Sequence, residues 1–501
     1  VRRPVLVPAL VAVAAVAFGQ GTPIPARPEA LVFKPIAYEP PRAEDHRVVL
    51  ASGMTVFIAE DKTLPLVEVS LLMHVGGYLD PPGKEGLAEF VGSQMRRGGT
   101  KDLSPDDLDA RLDFMATRLG VSIGETMGYA SLNCLKTNLD PSLKLLAAVL
   151  REPRFDEGRL ALTKEAALQQ MRKRNDDAAE IEEREWRVLL LGPHHFANRL
   201  KTQASLQAIS RDDLLAFHRA HIHPATMVAA VSGDFERGAM LASLEAAFSP
   251  WPTPTPVVPP VPRTTEPAAP GLYKVEKDVN QGRVSLGLPT VERTSPDVYA
   301  LEVMNEILGG SGFTARITKT VRSDEGLAYE AGSSIEFGIR YPGSFRAFFQ
   351  SKSESVAYAT SLVFREIERI RTSPVGESEL DTIKRSLVET FPSRFANAGE
   401  GMGLFAEEEA TGRSPEYLRT YRQKIQAVTA ADVMRVARVH LDPEKMIGLV
   451  VGDLPAIERG DGRHPVDLVG LFKGRVVVVP LPDPLTLERP TSSSGKPRRN
   501  P

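Results

Sequence analysis

The sequence predicts an α+β fold built from two homologous half-units, each a largely antiparallel sheet packed with helices. The first observation is an internal repeat. Leu206-Gln207-Ala208-Ile209-Ser210 returns as Ile425-Gln426-Ala427-Val428-Thr429, and the same spacing carries Asp213 to Asp432, Arg219 to Arg438, His221 to His440, Pro224 to Pro443, Met227 to Met446 and Gly233-Asp234 to Gly452-Asp453. One gapless register held over so many matches marks a duplication. The second observation is that consecutive strand-like stretches mostly stand too close together for crossover helices, which favours antiparallel pairing. The third is the stretch from Ser249 to Pro270, whose prolines can enter neither a helix nor a sheet centre and which reads as an extended linker between the halves.

In chain order, Val48 to Ile58 and Val67 to Val75 read as strand segments, with turns at Gly53-Met54 and Asp61-Lys62. The turn Asp80-Pro81-Pro82-Gly83 feeds a helix whose apolar stripe is Leu87, Phe90, Val91 and Met95. Glu89, Gly92 and Ser93 share a second face of that helix. Pro105 to Leu119 reads as a helix capped by Ser104, and Val121 to Leu135 as a strand pair. A helix starts over Leu143 to Leu150, and Phe155 to Leu191 has the period of one long helix ending at Gly192-Pro193. Its acidic run Glu180, Glu182, Glu183 and Glu185 reads as a solvated face, because basic residues interleave. Asp212 to His221 is a helix and Met227 to Val231 a strand. In the second half, Val284-Ser285-Leu286 matches Val69-Ser70-Leu71, and the helix at Tyr299 to Leu308 matches that at Gly86 to Met95.

Of the 501 residues, 42% are hydrophobic and 25% charged, the profile of a globular protein too long for one core. The net charge of −3 gives no basis for binding nucleic acid or an anionic membrane. Arg2 and Arg3 precede an apolar run from Val5 to Phe18, shorter than the roughly 20 residues of a spanning helix. Small residues at Ala17 and Gly19 then suit a cleavage site before Gln20, so the expected location is periplasmic or secreted, with no membrane span once the signal is removed. The single cysteine, Cys134, lies in an alternating stretch as a buried strand residue and leaves no intrachain disulfide framework. The expected organisation is a signal peptide at 1–19, an extended segment at 20–44, a first α+β unit at 45–248, the linker at 249–270, a second unit at 271–479 and a disordered tail at 480–501.

Three chemistry-bearing groups stand out. His218, His221 and His223 have chelating residue types, but His221 recurs as His440 while His218 becomes Ala437 and His223 becomes Asp442. The repeat therefore favours a structural hydrogen bond for His221 over a ligand role. The second half carries the flexible loop Gly309-Gly310-Ser311-Gly312-Phe313 and then Arg322 and Tyr329, with Gly326-Leu327-Ala328 leading into a strand. An arginine offers a rigid fork of donors to a carbonyl or carboxylate, and a tyrosine hydroxyl can donate to an oxygen becoming negative. The third group is the stretch Gly76 to Thr100 with its Glu89, Gly92, Ser93 face.

Over roughly residues 45 to 470 the chain resembles the pitrilysin/insulinase-type metallopeptidases. The resemblance rests on the Asp80-Pro-x-Gly-x-x-Gly-Leu-Ala segment with its helix and Gly98-Gly99-Thr100, on the duplicated unit, on Phe217 to Phe235 and on the proline-rich linker. It implies the family's metallopeptidase-like (LuxS-type) fold. In that family a His-x-x-Glu-His helix and a glutamate on the next long helix supply two zinc-binding histidines, the general base and the third ligand. Here Glu89, Gly92, Ser93 and Gln170 occupy those places, so the resemblance implies no metal and no cofactor in this chain. Arg322 and Tyr329 match the family's pair that faces zinc across the substrate and stabilises the tetrahedral intermediate. The implied role is that of a zinc-lacking subunit acting in trans: a homologous partner bearing the His-x-x-Glu-His motif supplies zinc, and an unfolded peptide is the substrate. The alternative is a non-catalytic scaffold or binding protein of the same fold.

Overall fold

The structure, a computed structural model, describes residues 37–249, 251 and 254–490. The expected signal peptide, most of the segment 20–44 and the last residues of the expected tail lie outside them. Two six-stranded sheets organise the chain. The first comprises β1 (Arg47–Val49), β2 (Thr55–Glu60), β3 (Leu66–Met73), β4 (Arg118–Ile123), β5 (Gly128–Leu135) and β6 (Met227–Gly233). The second comprises β7 (Gly271–Glu276), β8 (Gln281–Pro289), β9 (Ala328–Glu336), β10 (Ser344–Lys352), β11 (Ile447–Gly452) and β12 (Val476–Val478). Their orders are β1-β2-β6-β3-β5-β4 and β12-β7-β11-β8-β10-β9, the same arrangement twice except for the outer strands, β1 running antiparallel to β2 and β12 parallel to β7. Only β2–β6, β7–β11 and β7–β12 pair in parallel, so each sheet is largely antiparallel.

After a single turn at Ala43–His46, the helices of the first half are α1 (Leu87–Arg97), α2 (Pro105–Phe114), α3 (Leu139–Arg151), α4 (Glu157–Arg172), α5 (Ala178–Leu191), α6 (Gln203–Ala208), α7 (Arg211–His221) and α8 (Arg237–Phe248). Those of the second are α9 (Val298–Asn305), α10 (Val356–Thr372), α11 (Glu377–Thr390), α12 (Ala398–Thr411), α13 (Glu416–Ala427) and α14 (Ala430–His440), followed by two short helices, Leu454–Arg459 and Leu468–Leu471. The repeat extends to hydrogen bonds. Ser210 and Thr429 each close a capping box, with Asp213 and Asp432, at the starts of α7 and α14.

The central strands β6 and β11 are apolar along nearly their whole length and buried on both faces. Such strands need a cover on each side, and the halves supply it reciprocally. Helix α5 lies on β8 and β11 of the second sheet, where Ile181, Trp186, Leu189 and Leu190 pack with Tyr273, Val275, Ile447, Leu449 and Val451. Helix α12 lies on β2, β3 and β6 of the first, with Phe405 against Phe57. Full burial of each such side chain contributes roughly 1.5–3 kcal/mol, so this exchange binds the halves together.

The exchange corrects two expectations. The predicted helix from Phe155 to Leu191 breaks after Arg172, and Asp177 caps a new one by accepting from the backbone N–H groups of Ala179 and Glu180. The break lets α5 cross to the other sheet. The acidic run is then only half a solvated face: Glu180 and Glu183 are exposed, but Glu182 and Glu185 are buried. Arg283 and Ser285 donate to Glu182 at 2.6 and 2.5 Å, Arg346 donates to Glu183 at 2.7 Å, and Arg489 donates to Glu185 at 2.5 Å. Helix α2 also stops at Phe114, short of the predicted end, because Leu119 belongs to β4. Finally, the described part of the expected disordered tail is tied down. Asn175, Arg174 and the Gln203 backbone donate to the carbonyls of Pro482, Pro484 and Leu485, so donors of the first half hold the proline-rich segment. Cys134 is fully buried in β5, as expected.

Candidate functional site

Helix α1 is launched by Asp80, whose carboxylate accepts from the backbone N–H groups of Gly86 (2.7 Å) and Ala88 (2.8 Å). Burial raises its pKa to about 6, against the pull of those two bonds. The predicted stripe Leu87, Phe90, Val91 and Met95 is buried. On the other face, Glu89 accepts at both oxygens from Lys201 Nζ, at 2.6 Å each. Arg174 stands near enough to interact with Glu89, while burial and neighbouring Arg184 hold its pKa below the usual guanidinium value. Ser93 Oγ donates to the Phe90 carbonyl within its own helix. Gly92 presses on β4: a Cβ there would lie 2.4 Å from Ile123 N and 2.8 Å from the Ser122 carbonyl carbon. Gln170 is exposed on α4, which Gln94 and Thr163 tie to α1 at 2.8 Å.

These residues do not fit zinc. A carboxylate engaged by an ammonium, a glycine without room for a side chain, an inward-bonded hydroxyl and an exposed amide lack the imidazole and carboxylate set that the metal takes. Among the described residues no group of three His, Cys, Asp or Glu is placed to hold a metal ion. The His218, His221 and His223 side chains are separately engaged. His218 Nε2 lies 2.7 Å from the Leu150 carbonyl, His223 Nδ1 accepts from Ala225 N, and His221 packs on Phe217. The hydrogen bond expected for His221 is found only at its repeat, His440, which meets Asp297 at 2.9 Å; among the described residues the His221 ring packs on Phe217 instead, so the bond is not repeated. Sequence reasoning missed Lys201, since nothing local marks one lysine as the partner of a distant glutamate.

In the second half, α9 runs into a π-helical turn at Glu306–Gly310, and a second π-helical stretch, Thr318–Asp324, carries Arg322. Thr318 Oγ1 donates to the Ala331 carbonyl of β9 at 2.7 Å, and Arg316 donates twice to Glu379, which fixes the start of that stretch. Tyr329 is the second residue of β9, the edge of its sheet, and is 86% exposed. The structure brings the two predicted residues together: the Arg322 guanidinium carbon lies over the Tyr329 ring, 4.9 Å from its centroid. Phe313 flanks the same guanidinium at 4.5 Å. Among the described residues no hydrogen bond or ion pair engages the Arg322 donors or the Tyr329 hydroxyl. The sequence marked the Gly309–Phe313 stretch only as a loop; a lone aromatic after glycines was the available signal.

Among the described residues no helix is long and apolar enough to cross a membrane. Residues 55–187 match the family model described as insulinase, peptidase family M16, and residues 208–387 match the one described as peptidase M16 inactive domain. A Streptomyces coelicolor protein described as an uncharacterized zinc protease is 22% identical over 401 residues, covering 78% of this chain and 86% of that protein. The non-peptidase homolog YmxG of Helicobacter pylori is 22% identical over 410 residues, covering 81% and 94%. The crystal structure of a peptidase M16 inactive domain from Pseudomonas fluorescens superposes with a TM-score of 0.73 at 23% identity, covering 81% of this chain and 97% of that one. With both sheets, the repeat and the two matched segments in agreement, the chain belongs to the insulinase family of peptidases, family M16.

Proposed function

We propose that this chain is the zinc-lacking subunit of an exported, periplasmic or secreted two-subunit peptidase of this family, contributing Arg322 and Tyr329 to hydrolysis of unfolded peptides at the zinc of a homologous partner. The observation that carries the reading is the state of the donors. The guanidinium is held between two aromatic rings while its N–H groups remain uncommitted. Aromatic faces hold an arginine without using its hydrogen-bonding edge. Arg322 can thus grip a peptide carbonyl, and the exposed Tyr329 hydroxyl can donate to the oxygen that becomes negative as the bond is attacked. The partner's His-x-x-Glu-His helix supplies the metal-bound water.

The test is reconstitution. The purified chain alone should neither bind stoichiometric zinc nor cleave peptides, and mixing with a homologue bearing the motif should produce activity. Arg322→Ala and Tyr329→Phe should each lower kcat by about 10²-fold, the usual cost of one lost oxyanion donor, while leaving assembly intact by size-exclusion chromatography. Unchanged activity in both variants rejects the assignment and leaves a scaffold role.

A further inference from the structure

The loop ahead of Arg322 exposes a large apolar side chain without loosening the chain. Phe313 is 68% exposed, whereas Ala315 and Ile317, two and four residues on, are buried. The loop is held on both sides. Gly309 lies on β9 so closely that a Cβ would sit 2.2 Å from Ser333 N, and a Cβ on Gly310 would meet the side-chain ends of Glu306 and Asn305 at 2.5 and 2.7 Å. Gly312 has φ +66°, in the left-handed region that favours glycine, and Ser311 Oγ and Thr314 Oγ1 meet at 3.1 Å across the turn that carries Phe313. π-Helical turns flank the segment on either side, a feature frequent at functional sites. One exposed phenylalanine means little by itself, Phe114 being exposed as well, but Phe313 shares the Arg322 guanidinium with the exposed Tyr329 ring, so the two rings form one fixed apolar surface around it.

We infer that Phe313 is the third member of the site: a positioning residue that holds the Arg322 guanidinium over Tyr329, and an apolar wall that selects an apolar side chain next to the carbonyl Arg322 grips. The inference rests on the reading of Arg322 and Tyr329 as peptide-holding residues. Arg322 covers part of the Phe313 ring, at 4.5 Å from its centroid, and the rest stays open. A peptide whose carbonyl meets the guanidinium edge lays an adjacent side chain along that open surface. An aromatic or large aliphatic side chain gains there by leaving water, and alanine gains little.

The probe is a fluorescein-labelled peptide of glycine and serine with one central phenylalanine, compared with its central-alanine twin, titrated into the full chain and read by anisotropy. The wild-type chain should prefer the phenylalanine peptide by about tenfold. Phe313→Ala should weaken binding of the alanine peptide by about fivefold through loss of the guanidinium contact, and bring the preference between peptides close to one. Phe313→Trp should retain both affinity and preference. Equal thermal midpoints for the variants exclude a folding effect. If Arg322→Ala weakens binding while Phe313→Ala keeps the wild-type affinity and preference, the inference falls and the Arg322 reading stands. If Arg322→Ala binds both peptides as the wild type does, or the wild type binds neither, the reading falls and the role of Phe313 with it.

Discussion

The corner where α1 meets β4 and the corner where α9 meets β9 occupy matching places in the two sheets, yet their polar groups stand in opposite states. In each, a glycine lies hard against the edge strand: Gly92 on Ile123 and Gly309 on Ser333. In each, a glutamate at the same helical position receives a donor from the segment after the long helices. Glu89 takes Lys201, and Glu302 takes the Tyr421 hydroxyl at 2.6 Å, one residue on from the place the repeat matches to Lys201. The pairing is thus a structural joint built twice. In the first corner it uses up the chemistry on offer. In the second, the next turn of chain adds Arg322, Tyr329 and Phe313, whose donors and rings remain open to solvent. One half has been closed over and the other kept available, although both descend from one unit.

The most severe way to break this contrast is to restore a side chain at Gly92. Gly92→Glu must displace the backbone of β4, so urea unfolding should show a loss of about 3 kcal/mol, at the upper end for overpacking, whereas Ser93→His, at a half-buried position, should cost under about 1 kcal/mol. A wild-type midpoint for Gly92→Glu would mean the corner is not closed. The next effect is pH-dependent. Asp80 has its pKa raised to about 6 by burial, so the folded chain keeps a proton that the unfolded chain releases. Relative to Asp80→Asn, the wild type should therefore lose up to about 3 kcal/mol as the pH rises from about 4 to about 6. A flat difference across that window would refute it. The smallest effects compare the two joints directly. Tyr421→Phe strips a donor from a carboxylate whose pKa burial already raises, and should cost about 1–3 kcal/mol. Lys201→Met removes a partner from Glu89, whose side chain is 59% exposed, and should cost under about 1 kcal/mol. Equal losses would erase the distinction between an exposed joint and a buried one.

Much of this was legible in the residues because it is local or repeated. The Ser104 cap needs only the turn that follows it, the apolar stripe of α1 follows helical spacing, and the two halves check each other. Arg322 and Tyr329 were legible as a pair because a π-helical stretch and the following strand keep them near neighbours along the chain. The acidic face of α5 was misread for the converse reason. Glu182 and Glu185 look solvated until segments far along the chain supply Arg283 and Arg346 to Glu182 and Arg489 to Glu185, and only chain closure over that distance decides it.

The sequence by itself determined the duplication, the alternation of strands and helices, and which residue types stand at Glu89, Gly92, Ser93, Gln170, Arg322 and Tyr329. The tertiary structure decided that each half lends a helix to the other's sheet and that β4 closes over Gly92. It also decided that Lys201 reaches Glu89 and that Phe313 stands out against Arg322. Periodicity and capping are settled within a few residues by backbone geometry and side-chain type. Which donor meets which acceptor across the fold depends on packing between segments far apart in the chain, where shape and burial choose among many chemically equivalent partners.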